Sequence, residues 1–243
     1  MRNLLFIIAV VVTGSLSAQN TIDKTFPITN GHALKMRFDY PNVKVTTWDK
    51  NEISIQGIVM INGGESNDAL TITSGKEGNT VVIKSELKNL DGIPRRVTVE
   101  RDGQKIVFKN KAEWEKYADE HGKGATRMHE GVDVDITLEI KVPRNTETTI
   151  ESVYGMVEVK NFKGPLRVES TYGGVDASVA ESSTGELVAE TNYGHIYSNL
   201  NQLLNSKDIK DENFHTYVSG KPGNGPKVSF ESKYGNVYLR KEN

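Results

Sequence analysis

Four carboxylates, Glu151, Glu169, Glu190 and Glu231, stand at one fixed place in a recurring segment, three residues before a tyrosine. A column of carboxylates could hold a divalent cation or the amines of a glycan. Without counter-charges, carboxylates on neighbouring rungs repel by about 1 kcal/mol per well-solvated pair. Arg167 and Lys233 lie near enough in sequence to offset that repulsion, together with water and salt. No Asp/Asn/Gly-dense calcium loop occurs, so no metal ligand is assigned. The histidines, His32, His121, His129, His195 and His215, contain no pair at the four-residue spacing of a helical metal site. His129-Glu130 with Asp133 and Asp135 is a dense cluster, but strand alternation turns both aspartates toward solvent. No nucleophile elbow, phosphate loop or dinucleotide fingerprint is present. The sequence therefore nominates no catalytic residue, no cofactor-binding residue and no cofactor. Polysaccharide cleavage by scattered Asp, Lys and Arg would leave no short motif and stays open as an alternative.

The elements that would position those carboxylates are written as a repeat. Tyr154-Gly155, Tyr172-Gly173, Tyr193-Gly194 and Tyr234-Gly235 fall 18, 21 and 41 residues apart. The shared pattern is apolar-Glu-Ser/Thr-x-Tyr-Gly-x-Val/Ile, with a degenerate copy at Met36 to Val45 that carries Tyr40-Pro41. A unit of about 20 residues buries a hydrophobic face only by stacking on its neighbours. The pattern thus predicts an all-β, single-chain β-solenoid, β-helix-like, running nearly end to end over residues 19–243. Residues four, two and zero places before each tyrosine, such as Val168, Ser170 and Tyr172, are expected to face inward, with the rings stacked from rung to rung. Each glycine is expected to supply a positive φ or a bulge at the corner. Glu151, Glu169, Glu190 and Glu231 then share the outer face.

Residues 132–142 alternate apolar and polar without a fault and predict a strand. Shorter alternations at 43–47, 53–59, 70–73, 81–85, 97–99 and 106–108, separated by Asn-Gly and Asp-Gly turns, predict more. Residues 111–122 break the pattern as a short helical insertion, with Trp114, Tyr117 and Ala118 on one face, read as a cap over the β core or a lid. Residues 199–226 form a loop-rich interruption in which Phe214 to Val218 reads as a decayed repeat.

Residues 1–18 read as a secretory signal peptide: a basic start, a nine-residue apolar run at Leu4 to Val12, then small residues. The run is short of the roughly 20 residues that span a bilayer, so no transmembrane anchor is expected after cleavage. The chain has no cysteine, which removes disulfides and thiolate metal sites. Its net charge of −2, without a basic patch interleaved with aromatics, argues against nucleic acid as a partner.

The Tyr-Gly units, the closing Pro226 to Lys241 and the early Phe38 to Asp49 resemble the putative-adhesin family of bacterial envelope proteins with repetitive β-solenoid domains, in a form similar to secreted Bacteroidetes proteins. The resemblance implies an extracytoplasmic β-helix-like domain without an established catalytic set, and some such relatives belong to envelope-stress signalling. The expectation is an exported, periplasmic or cell-surface protein that is not an enzyme. It would bind an envelope or extracellular protein or glycan, as an adhesin-like module. The alternatives are a periplasmic sensor or accessory subunit of an envelope-stress system and, third, a polysaccharide-active β-helix enzyme.

Overall fold

The computed structural model describes residues 20–201, 209–212 and 214–242; the signal-peptide assignment at 1–18 lies outside them. In chain order the first part comprises β1 (Asn20–Pro27), β2 (Ala33–Phe38), β3 (Asn42–Trp48), β4 (Glu52–Ile61), β5 (Leu70–Glu77), β6 (Thr80–Leu87), β7 (Arg96–Arg101), β8 (Gln104–Phe108), α1 (Lys111–His121), β9 (Arg127–Gly131) and β10 (Val134–Pro143). The Tyr-Gly region follows as β11 (Thr148–Ser152), β12 (Val157–Val159), β13 (Leu166–Ser170), β14 (Val175–Val179), β15 (Leu187–Thr191), β16 (Ile196–Ser198), β17 (Ile209–Glu212), β18 (His215–Gly220), β19 (Val228–Ser232) and β20 (Val237–Lys241).

These strands form two large mixed sheets facing each other across one core, plus a small third sheet. One large sheet runs β1-β4-β10-β3-β12-β14-β20-β16; the other runs β17-β18-β15-β19-β13-β11-β2-β6-β5. Each Tyr-Gly unit gives one strand to each sheet, and the Tyr-Gly corner joins them. Alternation fills the gap between the sheets: Leu34, Met36, Ile150, Val168, Ala189 and Phe230 from one side meet Val43, Val45, Val157, Val175, Val237 and Leu239 from the other. Ile196, on edge strand β16, is half-buried.

This arrangement corrects the expected solenoid in two respects. A solenoid stacks its units in chain order, whereas here the final unit, β19–β20, is inserted between β13–β14 and β15–β16. The remaining strands are not solenoid turns: β1, β4 and β10 pair antiparallel, as do β5 with β6 and β18 with β15 and β17. Spacing along a sequence counts similar units but carries no information on their order in space, because a shared consensus lets any unit pair with any other. Phe214 to Val218 is not a decayed repeat either, since β18 runs antiparallel in a hairpin with β17. The degenerate copy at Met36 to Val45 does align, with β2–β3 in parallel register against β11–β12.

The helix forms where expected and packs elsewhere. Asn110 caps it, its side-chain oxygen accepting from the Glu113 N–H at 3.0 Å, while the Glu113 carboxylate accepts from the Lys109 N–H at 2.6 Å. Gly122, with φ of 83°, ends it. Trp114 and Ala118 bury against Val97, Val99 and Phe108 of the small sheet β8-β7-β9, with Tyr117 alongside, so α1 covers a core of its own and not the main one. That excursion leaves and rejoins the large sheets at Asn62. The buried Asn62 amide donates to the Pro94 carbonyl at 2.7 Å, its side-chain oxygen accepts from the Asp133 N–H at 3.0 Å, and its own N–H donates to the Asp133 carbonyl at 2.8 Å.

Gly155, Gly173, Gly194 and Gly235 do not have positive φ, contrary to expectation. Their role is close approach. A Cβ on Gly173 would sit 2.2 Å from the Gly155 carbonyl oxygen, one on Gly235 2.0 Å from that of Gly173, and one on Gly194 2.0 Å from that of Gly235. Pro41 is tolerated at this position because it belongs to the first corner of the stack, and the Cβ direction of Gly155 points at it. We predict that Gly173→Ala destabilises the protein by about 1–3 kcal/mol, the range for overpacking, through a clash with backbone that cannot rotate away. An unchanged denaturant midpoint in that variant would refute the close-approach role.

Candidate functional site

The corners carry the most regular surface of the molecule. Each Tyr-Gly strand of the second sheet, β11, β13, β19 and β15, ends in an inward hydroxyl: Ser152, Ser170, Ser232 and Thr191 occupy one register position. Ser152 donates to the Gly155 carbonyl at 2.7 Å, Ser232 to that of Gly173 at 2.8 Å, and Thr191 to that of Gly235 at 2.9 Å. The hydroxyls of Ser232 and Thr191 also accept from the N–H groups of Gly235 and Gly194. Ser170 has no such partner among the described residues; the carbonyl it would reach by analogy, that of Gly155, is held by Ser152. Backbone hydrogen bonds continue through the corner, from the N–H of Tyr154 to Asp39, Tyr172 to Val153, Tyr234 to Thr171 and Tyr193 to Lys233. Chain direction and tyrosine position are thereby fixed on every rung.

With the inward place taken by Ser or Thr, the turn rotates each tyrosine outward. The rings therefore lie on the surface, not in the core as alternation suggested: Tyr154, Tyr172, Tyr193 and Tyr234 are 54%, 54%, 61% and 43% exposed. They do stack. In spatial order the ladder reads Tyr40, Tyr154, Tyr172, Tyr234, Tyr193, with centroids 5.1–5.2 Å apart, and Phe214 closes it at 6.2 Å. The three inner steps are within 10° of parallel. The Tyr40 phenol is pushed above its ordinary pKa by burial first, then by the neighbouring Tyr154 and Asp39. Lys233 extends its ammonium 5.5 Å from the Tyr234 ring centre. A second stack, Tyr197 on Tyr238 at 5.1 Å, lies on the outer face of the first sheet. Its signal was in the sequence: both residues stand four places after a repeat tyrosine.

Beside the ladder, Glu151, Glu169, Glu231 and Glu190 occupy one row across the second sheet, in that order. Lys35 pairs with Glu151 at 2.6 Å, Arg167 with Glu169, and His215 with Glu190 at 2.7 Å. Lys35 and Arg167 offset part of the expected repulsion; Glu151 raises the Lys35 pKa, and Glu169 raises that of Arg167. Glu231 is left with Arg167 at 3.9 Å. Burial, then the Glu190 and Glu169 carboxylates, push its pKa up, with Arg167 pulling the other way. Lys233, expected to help, serves the tyrosine row instead.

The other ligand-like residues do not converge. His129 and Glu130 are exposed on β9, Asp133 pairs with Lys105, and no group of three His, Asp or Glu side chains among the described residues could hold a metal ion. At the pole opposite the tyrosines an open cleft of about 680 Å³ is lined by Asn30, His32, Asn51, Asn79, Arg144 and Glu147, among others. It contains one carboxylate and so does not bring together the two that glycoside hydrolysis ordinarily uses. No helix among the described residues is long and apolar enough to cross a membrane.

The raised pKa of Glu231 gives a signed prediction. A carboxyl whose folded pKa exceeds the unfolded value favours the fold below the unfolded pKa, near 4.3, and loses that contribution as pH rises through the folded value. Glu231→Gln should therefore raise the melting temperature at pH 7, and the gain should shrink as pH falls below 4. A gain that is the same at both pH values would contradict the repulsion.

No protein-family description and no curated protein matches the sequence. Among solved structures, a putative cell adhesion protein from Clostridium sporogenes is similar at 11% identity over 92% of this chain and 100% of that one, with a TM-score of 0.48. A putative adhesin from Bacteroides fragilis aligns at 11% identity over 93% and 99% of the two chains, with a TM-score of 0.22. A putative lipid binding protein from Parabacteroides distasonis aligns at 11% identity over 92% and 97%, with a TM-score of 0.23.

Proposed function

We propose that this chain is a non-enzymatic, exported binding module of the bacterial envelope, and that the tyrosine corner is its docking edge for an extended envelope or extracellular polymer. The observation that carries the reading is the ladder of five tyrosines and a phenylalanine, exposed along its length except at half-buried Tyr40. Aromatic surface of this extent, contiguous and solvent-facing, is characteristic of interaction sites. The ring faces are occupied by one another, so a partner meets ring edges and phenol hydroxyls, an apolar and hydrogen-bonding strip in one. Each ring is also held by its neighbours and by a hydrogen-bonded corner, which leaves little side-chain entropy to lose on binding. The strip repeats at the strand spacing, so it suits a partner that is itself linear and periodic.

The test pairs binding with turnover. Purified protein should sediment with cell-envelope fractions, and Tyr172→Ser with Tyr234→Ser should weaken that binding by about tenfold or more, as expected for the loss of two aromatic anchors, without lowering the melting temperature by more than a few degrees. Incubation with neutral and anionic polysaccharides should release no new reducing ends. Binding that is indifferent to the tyrosine pair would remove the ladder from the mechanism. Turnover that survives repurification and is lost in Asp133→Asn would replace the binding reading with an enzymatic one.

A further inference from the structure

The unit that comes last among the described residues is not last in the stack. β19 pairs in parallel with β13 on one side and β15 on the other, and β20 with β14 and β16. In both sheets at once, the final unit fills a slot between two units made earlier in the chain. Phe230, Val237 and Leu239 enter the core there at 2%, 0% and 1% exposure. Without it, β13, β14, β15 and β16 would each present an unpaired edge, and the core would open between them.

Two features make this slot addressable by another molecule. The first is interchangeability. The slot's walls and its occupant carry one consensus, so a final unit from a second copy would make the same register, Val168 beside Phe230 and Val175 beside Val237. The second is the segment that delivers the unit. Residues 221–227, Lys-Pro-Gly-Asn-Gly-Pro-Lys, carry the chain from β18 back past β15 to the slot. In the closed form this loop is pressed onto residues 181–185. A Cβ on Gly223 would lie 2.4 Å from the Glu181 oxygen and one on Gly225 2.0 Å from the Ser183 oxygen. The fold-back is held by the Asn224 N–H to Ser182 at 3.3 Å and the Gly185 N–H to Pro226 at 3.0 Å, and at its far end by the Leu166 N–H to the Lys227 carbonyl at 3.1 Å and by Lys227 with Glu186 at 2.9 Å. Meanwhile Pro222 and Pro226 bias themselves and the residues before them toward extended backbone. A hinge that folds back in the monomer, with prolines favouring extended backbone at its two ends and permissive Gly223-Asn224-Gly225 between them, can also open to reach a neighbour.

We propose that the C-terminal unit, residues 228–241, is exchanged between copies of this chain, each copy's β19–β20 completing the stack of another. The partner is thus a second copy, and the interface is the slot between β13–β14 and β15–β16. Because the exchanged contacts are identical to the internal ones, the balance between closed monomer and exchanged dimer is set by hinge strain against protein concentration. The inference is independent of what the tyrosine corner binds; exchange would place several such corners on one particle and raise avidity.

The absence of cysteine allows a background-free test. Ser178 and Arg240 are register partners on β14 and β20, about 5 Å apart as neighbouring strands are, within the range a disulfide bridges. Ser178→Cys and Arg240→Cys are made in separate full-length chains and also together in one chain. The double variant, refolded at low concentration where the closed monomer is favoured, should oxidise internally, showing that the fold and the pair are intact. The two single variants, unfolded, mixed and refolded together at high concentration, should yield a mixed disulfide at twice the chain mass, absent when each is refolded alone and mixed afterwards. A mixture that stays monomeric while the double variant bonds internally overturns the proposal. So does a mixed disulfide that forms equally well when Arg240→Cys is replaced by Lys123→Cys, a position outside the register, since that signals collision alone.

Discussion

The structure depends on how near one corner can come to the next. Parallel strands about 4.8 Å apart leave no room for a side chain between successive turns when the turns themselves are hydrogen-bonded to each other. The glycines at 155, 173, 194 and 235 remove the obstacle, and carbonyl oxygens occupy the space where Cβ atoms would be. From that contact follow the backbone hydrogen bonds that run from strand to tyrosine on each rung, the inward Ser and Thr hydroxyls that hold the glycine carbonyls, and the outward rotation of the tyrosines. The stacked rings are a product of the corner and not its cause. They sit where the geometry leaves them and gain contact with one another on the surface.

Electrostatics had to be arranged around the same register. Identical units place identical charges in line, and a row of four carboxylates is the consequence. The compensation is not periodic. It comes from residues that differ between units, the cations Lys35 and Arg167 beside the row, while His215 meets Glu190 through a ring nitrogen. Glu231, whose nearest cation is Arg167 at 3.9 Å, belongs to the inserted unit and is flanked by Glu169 and Glu190 on both sides. Insertion in the middle of the stack therefore places this carboxylate between two others, and burial together with both of them raises its pKa.

Much of the local structure was legible in the sequence. Alternation located β10 and the shorter N-terminal strands, helix formers ending at Gly122 marked α1, and the repeat identified which residues stack. Three things were not legible, each for a physical reason. The order of units was hidden because a consensus that pairs with itself does not specify which copy lies beside which. The outward tyrosine was hidden because alternation holds only while the strand lasts, and the strand stops at Ser152, Ser170, Thr191 and Ser232, before the ring. The role of glycine was misjudged because a need for positive φ and a need for an absent Cβ both call for the same residue, and only the distance to the neighbouring corner separates them. At the candidate site the carboxylate row could be read in advance, while Phe214 at the end of the ladder could not, since it belongs to no repeat.

The Asn62 clasp has a consequence for how such a chain can vary. One buried side chain in left-handed backbone holds both the outgoing chain at Pro94 and the returning one at Asp133, and beside it Arg96 and Lys109 pair with Glu65, so the helix-bearing sheet joins the large sheets through one small cluster of contacts. Everything between those two points has its own core and is invisible to the strand register on either side. The fold thus contains a socket: a position where a module can be enlarged, shortened or traded for another while β4 and β10 keep their pairing, which makes this the natural place for lineages of the same sandwich to diverge in shape.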